Sequence, residues 1–169
     1  MRVLAWVEPG TWQAVVEAAR RRPGTDDLTL VAAVDASEEL PAGIVRGLMG
    51  RGRPRERHQQ VSSQLTEQAA RELLARAAEA LGRPCRSQLL TGRVERVVTA
   101  ACDDADLLLL ARDGDRSRLG PASLGRHTRF VLDHAPCTVA LLWPGKTPSL
   151  DSIPAPPPPG HEPPRPHEH

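Results

Sequence analysis

The sequence predicts an α/β fold, a three-layer sandwich built on a five-stranded parallel sheet, and three observations carry that expectation. Short apolar, β-branched-rich runs of strand length occur at residues 2–7, 28–34, 86–90, 107–110 and 137–143. Segments with apolar residues three and four positions apart separate them, as amphipathic helices require. The first strand, helix and second strand fit within about 35 residues, a spacing that favours a parallel pair joined by a right-handed crossover.

Arg2 to Val7 is the first strand. Gly10 and Thr11 open a helix whose inner stripe is Trp12, Val15, Val16 and Ala19, and Pro23-Gly24 closes it. Leu28 to Val34 is the second strand. From Asp35 to Arg57 the residues Pro41, Gly43, Gly47, Gly50, Gly52 and Pro54 break any long element, although Ile44 to Met49 fits a short amphipathic turn. Arg46, Arg51, Arg53, Arg55 and Arg57 lie there against Glu56, either as a solvated loop or as a lid toward an anionic ligand. Gln59 to Leu81 is the longest helix, with Val61, Leu65, Ala69, Leu73, Ala77 and Leu81 at helical spacing and Gly82 as its stop. Arg86–Leu90, Glu95–Cys102 and Leu107–Leu110 supply strand, helix and strand. After a loop holding Gly114 and Gly120, Leu124, Thr128, Val131 and Leu132 form one helix face, and Pro136 ends that helix. Cys137 to Trp143 is the last strand.

A chain of 169 residues with 2% aromatics and no tyrosine must build its core from Leu, Val and Ala. A formal net charge of +1 argues against generic binding to nucleic acid or a membrane surface. No apolar run approaches the roughly 20 residues needed to span a bilayer, and the N-terminus lacks a signal-peptide pattern, so a cytoplasmic protein is expected. Cys85, Cys102 and Cys137 have no metal-like spacing and read as buried, reduced thiols. Residues 144–169 change character. PGKTPSLDSIPAPPPPGHEPPRPHEH is proline-rich without an apolar period, so a tail without stable structure is expected, serving as a spacer or a docking peptide. Its His161, His167 and His169 suit at most weak metal binding.

Two enzyme-like patterns fail on context. Ala140-x4-Gly145-Lys146-Thr147 would continue a strand and is flanked by Pro144 and Pro148, with no helix behind it to aim N–H groups at phosphate. Gly120-x2-Ser123-x-Gly125 has the wrong spacing for a nucleophile elbow. His127 and His134 stand near Ser123 without an evident orienting acid, and His134 also reads as a cation near a helix C-terminus.

The stretch Asp106–Trp143, with His134-Ala135-Pro136-Cys137 before its final strand, resembles the C-terminal half of the universal stress protein family, and the resemblance covers roughly residues 2 to 143. It implies strand order 3-2-1-4-5 and a crevice where winding reverses between the first and fourth strands. ATP-binding members carry G-x2-G-x9-G-[ST] after the fourth strand. In this sequence Ala111 takes the first glycine's place, Gly114 matches the second, Gly125 matches the third one residue late, and Arg126 replaces the small hydroxyl residue. The nucleotide-binding residues so implied are Val7, Glu8, Val34, Ala111, Arg112, Gly114, Gly125, Arg126 and Thr128. Glu8 stands where relatives have an aspartate that contacts the nucleoside; it is equally a carboxylate favoured by the first helix dipole. Arg112, Arg116, Arg118 and Arg126 either bind phosphate in place of lost contacts or pair with Asp113 and Asp115 at the surface. The resemblance further implies a homodimer through the Cys137–Trp143 edge strand, with Val139 and Leu141 at the interface. The function it implies is a non-catalytic stress-response regulator whose crevice takes an adenine nucleotide, ATP in the binding members. The alternative left open is a nucleotide-free dimeric scaffold acting through the basic loop or the proline-rich tail.

Overall fold

The structure, a computed structural model, describes residues 1–35 and 54–155. In chain order the elements are β1 (Arg2–Trp6), α1 (Trp12–Arg20), β2 (Asp27–Val34), α2 (Pro54–Leu81), β3 (Arg86–Thr91), α3 (Val94–Ala101), β4 (Leu107–Ala111), α4 (Arg126–His134) and β5 (Thr138–Leu142). The strands form one sheet in the order β3-β2-β1-β4-β5. Every adjacent pair is parallel, with Val3 opposite both Leu28 and Leu107. The expected fold class and strand order therefore hold.

Alternation along the strands builds two cores. Val3, Ala5 and Val7 of β1, Leu28, Leu30 and Ala32 of β2, and Leu107, Leu109 and Ala111 of β4 pack against α1 and α2. Leu4, Trp6, Val31, Leu108 and Leu110 point the other way, toward Val98 of α3 and Val131 of α4. β4 is buried at all five positions because helices cover both of its faces, which is why it reads as an unbroken apolar run. Each fully buried Leu on it contributes roughly 1.5–3 kcal/mol by leaving water.

Four differences from the sequence expectation have physical causes. First, α2 begins at Pro54, so Arg55 and Arg57 are helical; proline suits the first helical position, where its missing N–H is not needed. Second, Leu65 is 61% exposed and Ala69 is exposed too, whereas Leu73, Leu74, Ala77 and Leu81 are buried. A helix of 28 residues runs about 42 Å, and the 8-residue β2 only about 26 Å, so one end of α2 overruns the sheet. Third, only Cys102 of the three cysteines is buried, while Cys85 and Cys137 are half-buried and all three are free thiols. Burial, with the neighbouring Cys137 thiol, pushes Cys102 up to about 12. Fourth, the chain keeps a defined path beyond β5. Residues Leu150–Ser152 form a 3-10 turn, and the Ser152 hydroxyl accepts the Leu119 N–H at 3.0 Å. Arg46, Arg51 and Arg53, the PAPPPPG run from Pro156 onward, His161, His167 and His169 lie outside the described residues.

Arg83 joins the α1–β2 turn to the end of α2. Its guanidinium donates to the carbonyls of Arg22, Pro23, Gly24 and Asp26 at 2.9–3.2 Å.

Candidate functional site

Since β1 lies between β2 and β4, the winding direction reverses at the β1–β4 boundary, and a crevice opens there beyond the C-terminal strand ends. One lip is the β1–α1 turn. Val7 is buried and donates its N–H to the Val31 carbonyl at 2.9 Å. The Glu8 carbonyl accepts the N–H groups of Thr11 and Trp12, which aims the start of α1 at the turn. The Glu8 carboxyl is raised to about 7, first by burial and then by the charge of Asp113 across the crevice. The dipole of α1 does not offset that desolvation.

The other lip is the β4–α4 loop, and it is folded on itself. The Gly114 N–H bonds to the Ser123 carbonyl at 3.0 Å, and the Asp115 N–H to Ala122 at 2.9 Å. A Cβ on Gly114 would lie 2.4 Å from the Ala122 oxygen, so the glycine gives passage to this chain's own backbone. Gly125 is the N-cap of α4 and has no side chain to cap with. Its N–H is taken at 2.7 Å by Oδ1 of Asp113, a carboxylate set directly on the helix N-terminus. Arg112 also turns inward. Its Nη1 donates to the Ser123 hydroxyl, and its guanidinium lies 4.8 Å from the centroid of the Trp143 ring.

The residues implied by the motif thus separate into groups. Glu8, Asp113, Gly114 and Gly125 meet at the crevice, Val34 and Ala111 end buried strands beside it, and Arg112 braces the loop. Thr128 is fully buried in α4, and its Oγ1 has no partner among the described residues. The exposed Arg126 lines a recess between α3 and α4 with Arg93, Arg96 and Phe130. Of the loop's arginine–acid pairs, Arg118 Nε lies 3.8 Å from Asp115 Oδ2. A phosphate at the α4 N-terminus would need the N–H that Asp113 holds and clearance at Gly114 that residues 122–124 fill. In this conformation the crevice does not fit one.

Sequence reading missed two groups. Asp113 stands twelve residues before the N–H it accepts, beyond the range of any local capping pattern. Glu95 is buried on α3 and binds His127 Nδ1 at 2.9 Å, supplying the orienting acid that the sequence did not reveal. Its own backbone N–H and His127 hold its carboxyl below the usual range. Ser123 does not complete the pair, because its Oγ is engaged by Arg112 and donates to the Gly120 carbonyl at 2.6 Å.

An open parallel sheet with this winding defines a doubly wound α/β protein. The sequence model of the universal stress protein family matches residues 11–142, and the chain belongs to that family. No curated protein sequence matches it. Among solved structures it is similar to the hypothetical protein MJ0577 (14% identity, 86% of this chain and 97% of that one, TM-score 0.58). It is also similar to universal stress protein UspA from Lactobacillus plantarum (18% identity, 84% and 97%, TM-score 0.54). A third similar structure is a universal stress protein in complex with cAMP (15% identity, 86% and 98%, TM-score 0.51). At these identities the likeness shows the fold.

Proposed function

We propose that the chain is a non-catalytic regulatory member of its family that works without bound nucleotide, as a homodimeric scaffold. The observation that carries this reading is the Asp113 carboxylate on the Gly125 N–H, where a nucleotide would set its phosphate. Glu8 and Asp113 together make the crevice acidic, and a polyphosphate would be repelled from it. A cytoplasmic location belongs to the same proposal. Among the described residues no helix is long and apolar enough to cross a membrane.

The second reading is an adenine nucleotide, ATP or a cyclic nucleotide, that displaces Asp113. It is favoured by the exposure of Asp113, which leaves its side chain room to swing out, and by the cAMP-bound relative. Mass spectrometry of the supernatant from denatured protein, with calorimetric titration of ATP to millimolar concentration, separates the two. The scaffold reading expects neither released nucleotide nor binding heat. Stoichiometric nucleotide in the purified protein overturns it.

A further inference from the structure

On the sheet face opposite α1 and α2, a recess of about 350 Å³ opens between α3 and α4. Arg93, Glu95 and Arg96 line it from α3 and its N-cap, and Arg126, Arg129, Phe130, Asp133 and His134 line it from α4. Four guanidinium groups therefore share the recess with two carboxylates. One carboxylate is already committed, since Glu95 lies 3.5 Å from Arg93 Nη2 and holds His127 through its other oxygen.

Two of the remaining cations, Arg96 and Arg129, are positioned by contacts that leave their charge unpaired. The Arg96 guanidinium lies 5.0 Å from the Phe130 ring centroid, which orients its plane and leaves its N–H groups available. Arg129 is tethered through Nη2 to the carbonyls of Pro121 at 2.8 Å and Leu124 at 3.4 Å, which consumes none of its charge. Neither Arg96 nor Arg126 makes an ion pair among the described residues. Phe130 also stacks on His134, with centroids 4.1 Å apart and planes within 12°. The His134 Nδ1–H donates to the Phe130 carbonyl at 2.8 Å, which holds the imidazole in place.

Guanidinium forks lining one recess match the tetrahedral oxygens of phosphate better than they match a lone point charge. The volume is at the lower end of small-molecule pockets. An extended polyanion would meet Asp133 and Glu95 in the same recess, and the chain's net charge of only +1 offers it no wider field. We propose that this recess binds a small phosphorylated molecule, its phosphate held between Arg96 and Arg126 and its organic part against the Phe130–His134 stack. The inference is independent of whether the crevice at Asp113 holds nucleotide.

The test uses the full chain, labelled with nitrogen-15, titrated with inorganic phosphate and with phenyl phosphate. Amide shifts are expected at residues 93–96 and 126–134, with phenyl phosphate binding more tightly than inorganic phosphate. Arg96→Ala with Arg126→Ala should weaken binding by about tenfold or more, since charge-assisted hydrogen bonds are lost. Arg20→Ala with Arg21→Ala, at the C-terminal end of α1, should leave it unchanged. Four results overturn the proposal: no shifts at tens of millimolar, shifts centred on residues 7–8 and 113–115, equal affinity for the two probes, or full binding by the Arg96/Arg126 variant. Should that variant fail to fold, the shift map of the unmodified protein decides alone.

Discussion

The Asp113 carboxylate accepts the Gly125 N–H at 2.7 Å, so an acid at the end of β4 caps the helix that begins twelve residues later. The contact is close: a Cβ at Gly125 would lie 2.3 Å from Asp113 Oδ2, so a side chain there would displace the carboxylate from the N–H. A negative group on the first turn of α4 is favoured by the helix dipole and satisfies one of its unpaired donors.

Asp113→Ala should therefore lower stability by about 1 kcal/mol, read from thermal or urea unfolding. If the carboxylate is what excludes phosphate, the same variant should show binding heat with ATP where the unmodified protein shows none. Equal behaviour of the two proteins toward ATP would mean that Asp113 blocks nothing.

Glu8 gives a pH dependence with a definite sign. Its folded pKa is about 7, above the ordinary carboxyl value of 4.5, so the folded state binds more protons than the unfolded state between those limits. Stability from this group is fully present below about pH 4.5 and falls as pH rises through 7. Glu8→Gln should remove that fall and stabilise the protein at pH 8 by up to about 3.5 kcal/mol, from roughly 1.4 kcal/mol per pKa unit. Urea unfolding of both proteins from pH 4.5 to 8 checks it. Parallel curves would show that Glu8 is solvated.

Gly114→Ala should cost about 1–3 kcal/mol even without any ligand, because its methyl would meet the backbone of residues 122–124. Gly10 makes a useful contrast. Its φ of +82° strains any substitution, yet nothing lies within 4 Å of the added Cβ. Gly10→Ala should cost about 1 kcal/mol through backbone strain alone. Thermal unfolding of both variants compares packing with strain.

What the sequence revealed and what it hid divide along contact range. β4 was legible because four consecutive leucines need cover on both faces, and α4 ended where Pro136 required, at His134 with Ala135 as C-cap. The α2 stripe was legible only where the sheet lies beneath it. Leu65 keeps the period of Leu73 and Leu81, but periodicity carries no information about how far a neighbouring sheet extends. Asp113 and Arg83 were illegible for another reason: their partners lie 12 and 57–61 residues away, and no local pattern marks a long-range hydrogen bond. The motif residues were found by family resemblance, whereas the closed state of their loop is a property of the fold.

The tail also contributes. With Leu119 N–H bonded to Ser152 and the Leu150–Ser152 turn beyond β5, deletion after Lys146 should lower stability by about 1 kcal/mol. Ser152→Ala should reproduce most of that loss in thermal unfolding. An unchanged melting temperature for the deletion would show that this contact is made without net gain.

The last prediction concerns β5. The strand closes one side of the sheet and pairs with β4 alone among the described residues. Thr138 to Leu142 carries neither charge nor proline, so its sequence does nothing to keep a second strand away. Val139 and Leu141 pack against the α3–α4 core, Ala140 and Leu142 against the α1–α2 core, and all four remain only half-buried. Apolar side chains left half-buried on both faces of an edge strand are what a second copy would cover, and a two-fold axis would bring the same residues together from each side. Light scattering should give twice the mass of one chain at micromolar concentration. Val139→Lys with Leu141→Lys should yield monomers or insoluble protein, whereas Arg71→Lys, at an exposed position on α2 with Glu67 3.8 Å away, should leave the dimer intact. Because Val139 and Leu141 also touch their own core, instability of the double variant decides nothing by itself. The unmodified protein does: a monomer at micromolar concentration would rule the interface out.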